Sequence, residues 1–233
     1  MVTSTQTAEV VRIIPSFVSN SHSHRRLATR YDAAASTWDD TLRKLRMPQV
    51  YKHLFEDIAQ RNLLPGHVQH VLDIGIGTGA LSGALLDVRP GVRELTGFDI
   101  STCMLEEAHH NLANAGARVR MQQQDVSQWQ APHEVYDMVI SAHTLEHLND
   151  PAIAIDQIFR SLRPGGTFVL MMTRQSLWGR YIRYQWNDVS PTCPHTVSTW
   201  LEQAGFGSVT QMRLRGNFIS GAGSLAMVGC KPG

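Results

Sequence analysis

The sequence of 233 residues has few cysteines, almost no net charge and no long hydrophobic run. The three cysteines, Cys103, Cys193 and Cys230, are an odd number without the spacing of a metal site, so we expect reduced thiols in a cytoplasmic protein. A formal net charge of +1 gives no overall field that would draw the chain to nucleic acid or to an anionic membrane. No apolar run approaches the roughly 20 residues that span a bilayer, and polar residues 1–9 contain no signal-peptide core.

The composition is that of a folded protein, with 42% hydrophobic and 18% charged residues. The length suffices for one large α/β domain, and neither an internal repeat nor a second core is visible. We expect a polar arm over residues 1–24 and one domain over residues 25–233. Within that domain, residues 25–62 are expected to form a helical cap with a break near Pro48, and residues 173–195 a lid insertion.

Residues 71–82, V-L-D-I-G-I-G-T-G-A-L-S, predict a buried strand, a glycine turn and the start of a helix. In that turn Gly75, Gly77 and Gly79 place no Cβ in the way of a ligand. Such a unit binds nucleotide-like ligands at the carboxyl edge of a doubly wound sheet. The third glycine comes one residue too early for the dinucleotide pattern G-x-G-x-x-G, which disfavours a nicotinamide dehydrogenase.

Carboxylates follow the next two predicted strands. Asp99 lies 20 residues after Gly79, where it can accept hydrogen bonds from two ribose hydroxyls or, alternatively, cap the next helix. Ser101 could fill that capping role instead. Asp125 follows a short third strand and either contacts a ligand or starts a turn.

Four segments together resemble the class I S-adenosylmethionine (SAM) methyltransferases. They are D-I-G-I-G-T-G at 73–79, D-M-V-I-S-A-H-T-L-E-H-L-N-D-P at 137–151, L-R-P-G-G at 162–166 and Y-D-A-A-A-S-T-W-D at 31–39. The chain from about residue 25 is similar to the broad group that includes ubiquinone/menaquinone and antibiotic-tailoring methyltransferases, without the full signature of the quinone enzymes. The resemblance implies a Rossmann-like doubly wound α/β sheet of seven strands, order 3-2-1-4-5-7-6 with the last strand antiparallel, under an N-terminal helical cap.

The resemblance also implies SAM as the methyl donor and S-adenosylhomocysteine as the product. Asp99 would hold the ribose, while Met104, Asp125 and the backbone of Val126 would lie at the adenine. Tyr31 either closes over the methionine end of SAM or packs its helix onto the sheet, and for Trp38 we favour packing. The residues expected to bind the donor are Tyr31, Asp73, Gly75, Gly77, Gly79, Asp99, Ile100, Met104, Asp125, Val126 and Ser141.

Methyl transfer of this kind is an in-line displacement that needs positioning and, for some acceptors, a general base. His143, just after the central strand, is the best candidate base; the alternative is that it contacts SAM only through its backbone. Aromatic residues of the lid could stack on a flat acceptor and its arginines meet a carboxylate, or the lid could simply pack on the N-terminal helix. The candidate acceptor-binding residues are Trp178, Tyr181, Tyr184, Trp186, Arg180 and His147, the last of which could instead brace the loop.

The segment His143–His147 also fits the H-x-x-E-H pattern of zinc hydrolases, but it follows a strand instead of lying within a helix, so we expect no metal. The chain lacks the motifs of DNA methyltransferases and has no basic appendage for RNA. We therefore expect a small-molecule acceptor in secondary metabolism or cofactor biosynthesis, no nucleic-acid or membrane partner, and a monomer or homodimer. The alternatives are a non-methylating enzyme on the same fold and a non-catalytic SAM-binding subunit; O-, N- and C-methylation are not separable.

Overall fold

The computed structural model of the chain describes residues 14–15, 22–185, 189–216 and 221–233. One sheet forms its centre. Its strands are β1 (Ile14–Pro15), β2 (His70–Ile74), β3 (Glu94–Asp99), β4 (Arg118–Gln123), β5 (Tyr136–Ala142), β6 (Leu162–Thr173), β7 (Ser208–Met212) and β8 (Ser224–Cys230). The helices are α1 (His22–Lys44), α2 (Met47–Gln60), α3 (Ala80–Val88), α4 (Thr102–Asn111), α5 (Pro151–Ser161), α6 (Leu177–Gln185) and α7 (Pro194–Ala204).

The strand order is β1-β4-β3-β2-β5-β6-β8-β7, and β8 runs antiparallel to both of its neighbours. Numbered from β2 onward, this is the order 3-2-1-4-5-7-6 with the last strand antiparallel. The predicted fold class is therefore confirmed. The additional strand β1 has only two residues and pairs in parallel with β4, within the segment that the sequence predicted as a polar arm.

The helical cap contains two helices separated by a short break. Arg46 has a left-handed backbone, φ 59°, which ends α1 and turns the chain into α2. Pro48 lies in the first turn of α2, where its missing N–H leaves no hydrogen bond unmade. The break therefore falls just before the proline that predicted it.

Side chains of the central strands point alternately to the two faces of the sheet, and each face carries a hydrophobic core. Val71 on β2 packs with α2 and α3, whereas its neighbours Leu72 and Ile74 face α5 and α7. Because side chains alternate along a strand, Asp73 shares the face of Val71. Between β2 and β5 the strand order reverses, and in open α/β sheets this is the point at which ligands bind beside the carboxyl ends of the strands.

Candidate active site

A cavity of about 410 Å³ lies at the carboxyl ends of β2, β3 and β5, beneath α1 and α6. Its volume falls within the range of small-molecule sites. One part of the wall consists of the glycine turn and the residues after β3 and β4. The other part consists of the residue after β5, the end of β6, the start of β8 and side chains from α2 and α6.

The three glycines of the turn have positive φ angles of 72°, 53° and 86°, but only one faces open space. A Cβ on Gly77 would meet nothing nearer than Trp38 Nε1 at 3.9 Å, so the backbone there is open to the cavity. A Cβ on Gly75 would overlap the side chain of Thr144, and one on Gly79 would press on a leucine at the end of α4. Gly75 still lines the cavity, whereas Gly79 lies outside its lining.

Asp73 lies behind the turn instead of in the cavity wall. It is 1% exposed, and its Oδ2 accepts a hydrogen bond of 2.6 Å from Ser82 Oγ. Its Oδ1 has no hydrogen-bond partner. Burial raises the pKa of Asp73 to about 7, against the lowering effect of Ser82, and the charge of Asp99 raises it further. In this conformation Asp73 supports the turn from below.

Asp99 lines the cavity at the end of β3 and holds the glycine turn in place. Its Oδ2 accepts a hydrogen bond of 2.9 Å from Gly77 N–H, and its Oδ1 accepts one of 2.9 Å from Ser101 N–H. Burial raises the pKa of Asp99 to about 6, although the backbone hydrogen bonds from Ser101, Gly77 and Ile100 oppose that rise. The cap of α4 is Ser101, whose Oγ accepts from Met104 N–H. Asp99 is thus not the cap of α4, and it forms part of the cavity wall.

Asp125 both starts a turn and lines the cavity. Its Oδ1 accepts hydrogen bonds from the N–H and Oγ of Ser127, at 2.9 and 2.7 Å. Its Oδ2 lies 2.6 Å from Nδ1 of His24, on the first turns of α1. No local sequence pattern predicts this contact, which engages the carboxylate expected to lie at the adenine. Val126, Ile100 and Met104 line the wall here as expected.

Two aspartates of the Y-D…W-D segment, seven residues apart on α1, fasten this helix to the sheet. Asp32 accepts a hydrogen bond of 2.5 Å from Ser101 Oγ, at the start of α4. Asp39 accepts 2.5 Å from Thr78 Oγ1 in the glycine turn and 2.8 Å from Asn111 Nδ2 at the end of α4. The acidic residues of the segment therefore hold α1 over the cavity.

The aromatic partners in the same segment, Tyr31 and Trp38, both line the cavity. Their rings meet edge to face with centroids 5.6 Å apart. The hydroxyl of Tyr31 lies 3.0 Å from Nε2 of His147, which follows β5. The packing of the two rings is therefore observed, their closure over a donor stays a prediction, and His147, expected as a possible brace, has Tyr31 as its partner.

His143 lies directly after β5 with a left-handed backbone, φ 57°, and its N–H donates to Met171 O. Its imidazole is part of the cavity wall. Nδ1 lies 3.5 Å from Glu146 Oε2, and Nε2 lies 3.3 Å from Ser224 Oγ at the start of β8. A proton on Nδ1, facing the carboxylate, leaves Nε2 as the nitrogen that can accept one.

Glu146 is only 2% exposed and is held by Thr173, whose N–H and Oγ1 donate to it at 2.5 and 2.7 Å. Burial alone would raise the pKa of Glu146, but His143 and the two Thr173 hydrogen bonds together hold it below its usual value. Glu146 is therefore a buried carboxylate that faces the imidazole. A base oriented by a buried acid is the arrangement used in proton-transfer sites. No local sequence pattern pointed to Ser224 as a partner of His143.

The lid residues divide into two groups. Trp178 and Tyr181 line the cavity, with ring centroids 5.6 Å apart. Tyr184 is 80% exposed, and Arg180 is exposed too; both lie outside the lining. The structure therefore does not place these two side chains at the cavity, and their contact with an acceptor stays a prediction. Trp186 lies outside the described residues.

Ser141 is buried within the sheet, where its Oγ donates 2.8 Å to Ile74 O and joins β5 to β2; it does not line the cavity. Among the described residues, no group of three or more His, Cys, Asp or Glu side chains is arranged to hold a metal ion. No helix in the described part of the chain is long and apolar enough to cross a membrane.

Residues 71–166 match a family described as a methyltransferase domain. A ubiquinone biosynthesis O-methyltransferase of Psychrobacter arcticus is 39% identical over 103 residues, 43% of this chain and 39% of that protein. The chain thus matches about two fifths of the length of this curated relative.

Solved structures share the fold over most of the chain. One is a chain in the complex of the Haloferax volcanii Trm112 methyltransferase activator with a putative methyltransferase, with TM-score 0.71, 19% identity and coverage of 88% of this chain and 97% of that one. Another is magnesium protoporphyrin IX methyltransferase of Synechocystis with bound S-adenosylhomocysteine, with TM-score 0.62, 18% identity and coverage of 87% and 98%. Residues 71–166 thus match a methyltransferase domain, and the strand order is the one that the resemblance to the class I SAM-dependent methyltransferases predicted.

Proposed function

We propose that this chain transfers a methyl group from SAM to a small-molecule acceptor, with His143 as the general base. The observation that carries the proposal is that the His143–Glu146 pair opens into the same cavity as the glycine turn and Asp99. Donor-binding groups and a candidate base thus meet in one enclosed space.

The donor end of the cavity suits a nucleoside. The open backbone at Gly77, the carboxylate of Asp99 and the side chain of Met104 form one continuous wall. An ionised Asp99 can accept hydrogen bonds from both hydroxyls of a ribose. SAM, when bound, supplies a methyl group already activated by a positively charged sulfur.

The residues of the chain then have three tasks. α1, fastened through Asp32 and Asp39, and the α6 residues Trp178 and Tyr181 cover the site and exclude water. The walls hold the acceptor in line with the methyl group, and such positioning can supply roughly 7–11 kcal/mol of the barrier. Glu146 keeps Nδ1 of His143 protonated, so that Nε2 takes the proton of the acceptor, an effect worth about 10²–10⁴-fold in rate.

Methyl-labelled SAM offered together with a small-molecule extract of the source cells tests this proposal. We expect labelled product and S-adenosylhomocysteine in equal amounts, loss of label transfer in His143→Ala, and unchanged S-adenosylhomocysteine affinity in that variant. A protein that binds the nucleoside but labels no molecule would instead be a non-catalytic subunit. Consumption of SAM without S-adenosylhomocysteine would indicate a non-methylating enzyme.

A further inference from the structure

We infer that a second cleft, next to the candidate active site, binds a phosphate group. The cleft has a volume of about 580 Å³ and lies beside the end of β6, the end of β7 and the start of β8. Among the described residues that line it, the charged ones are Arg174 and Arg213. The inference concerns a separate site and does not depend on the proposed methyl transfer.

Backbone pairing places Arg174 on the same face of the sheet as Leu225. Met172 of β6 lies directly opposite Leu225 of β8, and both side chains belong to the core on the α5–α7 face. Arg174 follows Met172 by two residues, and its N–H donates 2.8 Å to Gly223 O, so the pairing of β6 with β8 extends to Arg174. Because side chains alternate along a strand, Arg174 shares the face of Met172.

Arg213 lies on the same face, on the other neighbour of β8. Gln211 of β7 is opposite Met227, another member of the same core. Arg213 follows Gln211 by two residues, just after the end of β7, and side-chain alternation gives it the face of Gln211. Arg174 and Arg213 therefore stand on the two sides of β8, and both line the cleft.

Neither arginine is neutralised by an acid in the described part of the chain. Arg215, two residues after Arg213, donates 2.9 Å to Asp57 Oδ1, and other arginines form similar pairs. For Arg174 and Arg213 no ion pair or side-chain hydrogen bond is found among the described residues, and none of those that line the cleft is Asp or Glu. Residues 217–220, N-F-I-S, contain no acid either. Two positive charges thus share one cleft in which the described residues supply no counter-charge.

Two guanidinium groups match a phosphate group better than a carboxylate. A phosphate monoester carries a charge of about −1.5 to −2 at pH 7 and three acceptor oxygens, whereas a carboxylate carries a single charge. Planar guanidinium groups donate two parallel hydrogen bonds to such oxygens. The volume of about 580 Å³ lies within the range of small-molecule sites, so the cleft has room for an organic group as well. The bound group is therefore phosphate, carried by an ester or free.

The cleft borders the cavity of the candidate active site at Ser224. This residue lines both spaces, and its Oγ lies 3.3 Å from Nε2 of His143. Arg174 directly follows Thr173, whose Oγ1 donates 2.7 Å to Glu146. A phosphate group in the cleft would thus lie beside the candidate base.

Calorimetric titration of the full chain with phenyl phosphate, inorganic phosphate and benzoate tests the inference. At pH 7.5 and low salt we expect phenyl phosphate to bind with a dissociation constant of about 0.1–1 mM, and benzoate at least about 10-fold more weakly. Inorganic phosphate that binds as tightly as phenyl phosphate would confirm the phosphate site and identify free phosphate as its ligand. Weaker binding of inorganic phosphate would confirm the site for an ester.

Substitutions locate the binding. Arg174→Gln and Arg213→Gln should each weaken phenyl phosphate at least about 10-fold, because each removes charge-assisted hydrogen bonds. Arg174→Lys keeps the charge but loses the planar fork and should weaken binding about 3-fold. The matched control is Arg183→Gln, which removes an exposed charge of α6 outside both linings and should leave the affinity within about 2-fold.

Several results would overturn the inference. Equal weakening by Arg183→Gln would reduce the binding to an effect of overall charge. Native affinity in Arg174→Gln, benzoate binding as tight as that of phenyl phosphate, or no binding of either phosphate up to about 10 mM would contradict the site directly. Thermal unfolding is the check on folding, and each variant should keep the native midpoint because all three arginines are exposed.

Discussion

The two ends of the cavity are built in different ways. The donor end comes mainly from one part of the chain, residues 74–126, and its polar groups are backbone N–H groups and carboxylates at strand ends. The acceptor end collects side chains from α1, α2 and α6, the residue after β5 and the start of β8. The donor end is formed by the topology of the sheet. The acceptor end is formed by side chains from elements that are far apart in the sequence. We therefore expect substitutions to separate donor binding from acceptor chemistry.

The largest effect should come from the base. In His143→Ala the rate of methyl transfer at saturating substrates should fall about 10²–10³-fold, because no other group replaces Nε2. The dissociation constant of S-adenosylhomocysteine should change less than about 2-fold, since the donor contacts remain. Single-turnover kinetics and calorimetry measure the two quantities. Equal losses in both would mean that His143 belongs to the donor end.

At Asp99 we expect the opposite pattern, in which donor binding is the property that is lost. Asp99→Asn should weaken S-adenosylhomocysteine binding by about 100-fold at pH 7.5, because hydrogen bonds from hydroxyls to a carboxylate are each worth about 1.5–3 kcal/mol. Asp40→Asn, an exposed change on α1, is the matched control and should leave the affinity unaltered. An Asp99→Asn protein with native affinity would remove Asp99 from the ribose.

The same carboxyl group should make donor affinity depend on pH. Burial raises the pKa of Asp99 to about 6, and the ribose needs the ionised form. Affinity should therefore be nearly complete at pH 7 and fall by about 10-fold between pH 7 and pH 5, as the proton occupies the site. Calorimetry across this range measures the slope, and Asp99→Asn should flatten it. A native protein without that slope would contradict the assignment.

The smallest predicted effect is a difference in acceptor KM between substitutions of Tyr181 and Tyr184 on α6. Tyr181→Ala should raise the acceptor KM about 3–10-fold, because it removes a ring from the cavity wall. Tyr184→Ala removes a ring that is 80% exposed and should leave KM within about 2-fold. Initial-rate measurements on the two variants provide the comparison. A larger change in Tyr184→Ala would mean that the lid turns on binding.

The fold and the donor end were predictable because they are encoded locally. The glycine turn, Asp99 and Asp125 lie in short motifs at strand ends, and parallel strands bring such ends to one edge. The motifs do not show which face of its strand each side chain lies on, and this decides whether the side chain reaches the cavity. Asp73 faces the α2–α3 layer and Ser141 bonds within the sheet, so neither side chain lines the cavity although both belong to the motifs.

The acceptor end was less predictable, for two reasons. Ser224 meets His143 across 81 residues of sequence, and His24 meets Asp125 across 101, and no local pattern marks such pairs. On α6 the aromatic residues Trp178, Tyr181 and Tyr184 are spaced three residues apart, and the sequence does not show which of them reaches the cavity. The structure places Trp178 and Tyr181 in the cavity wall, although Tyr181 is 53% exposed, and leaves Tyr184 outside the lining.

The backbone conformation of His143 restricts which residue fits at this position. A residue with a side chain held at φ 57° stores strain of about 1–3 kcal/mol, which glycine would relieve. Glycine would relax the backbone at this position but would leave the buried carboxylate of Glu146 without the imidazole that faces it. Backbone strain and side-chain pairing therefore act in opposite directions at a single residue.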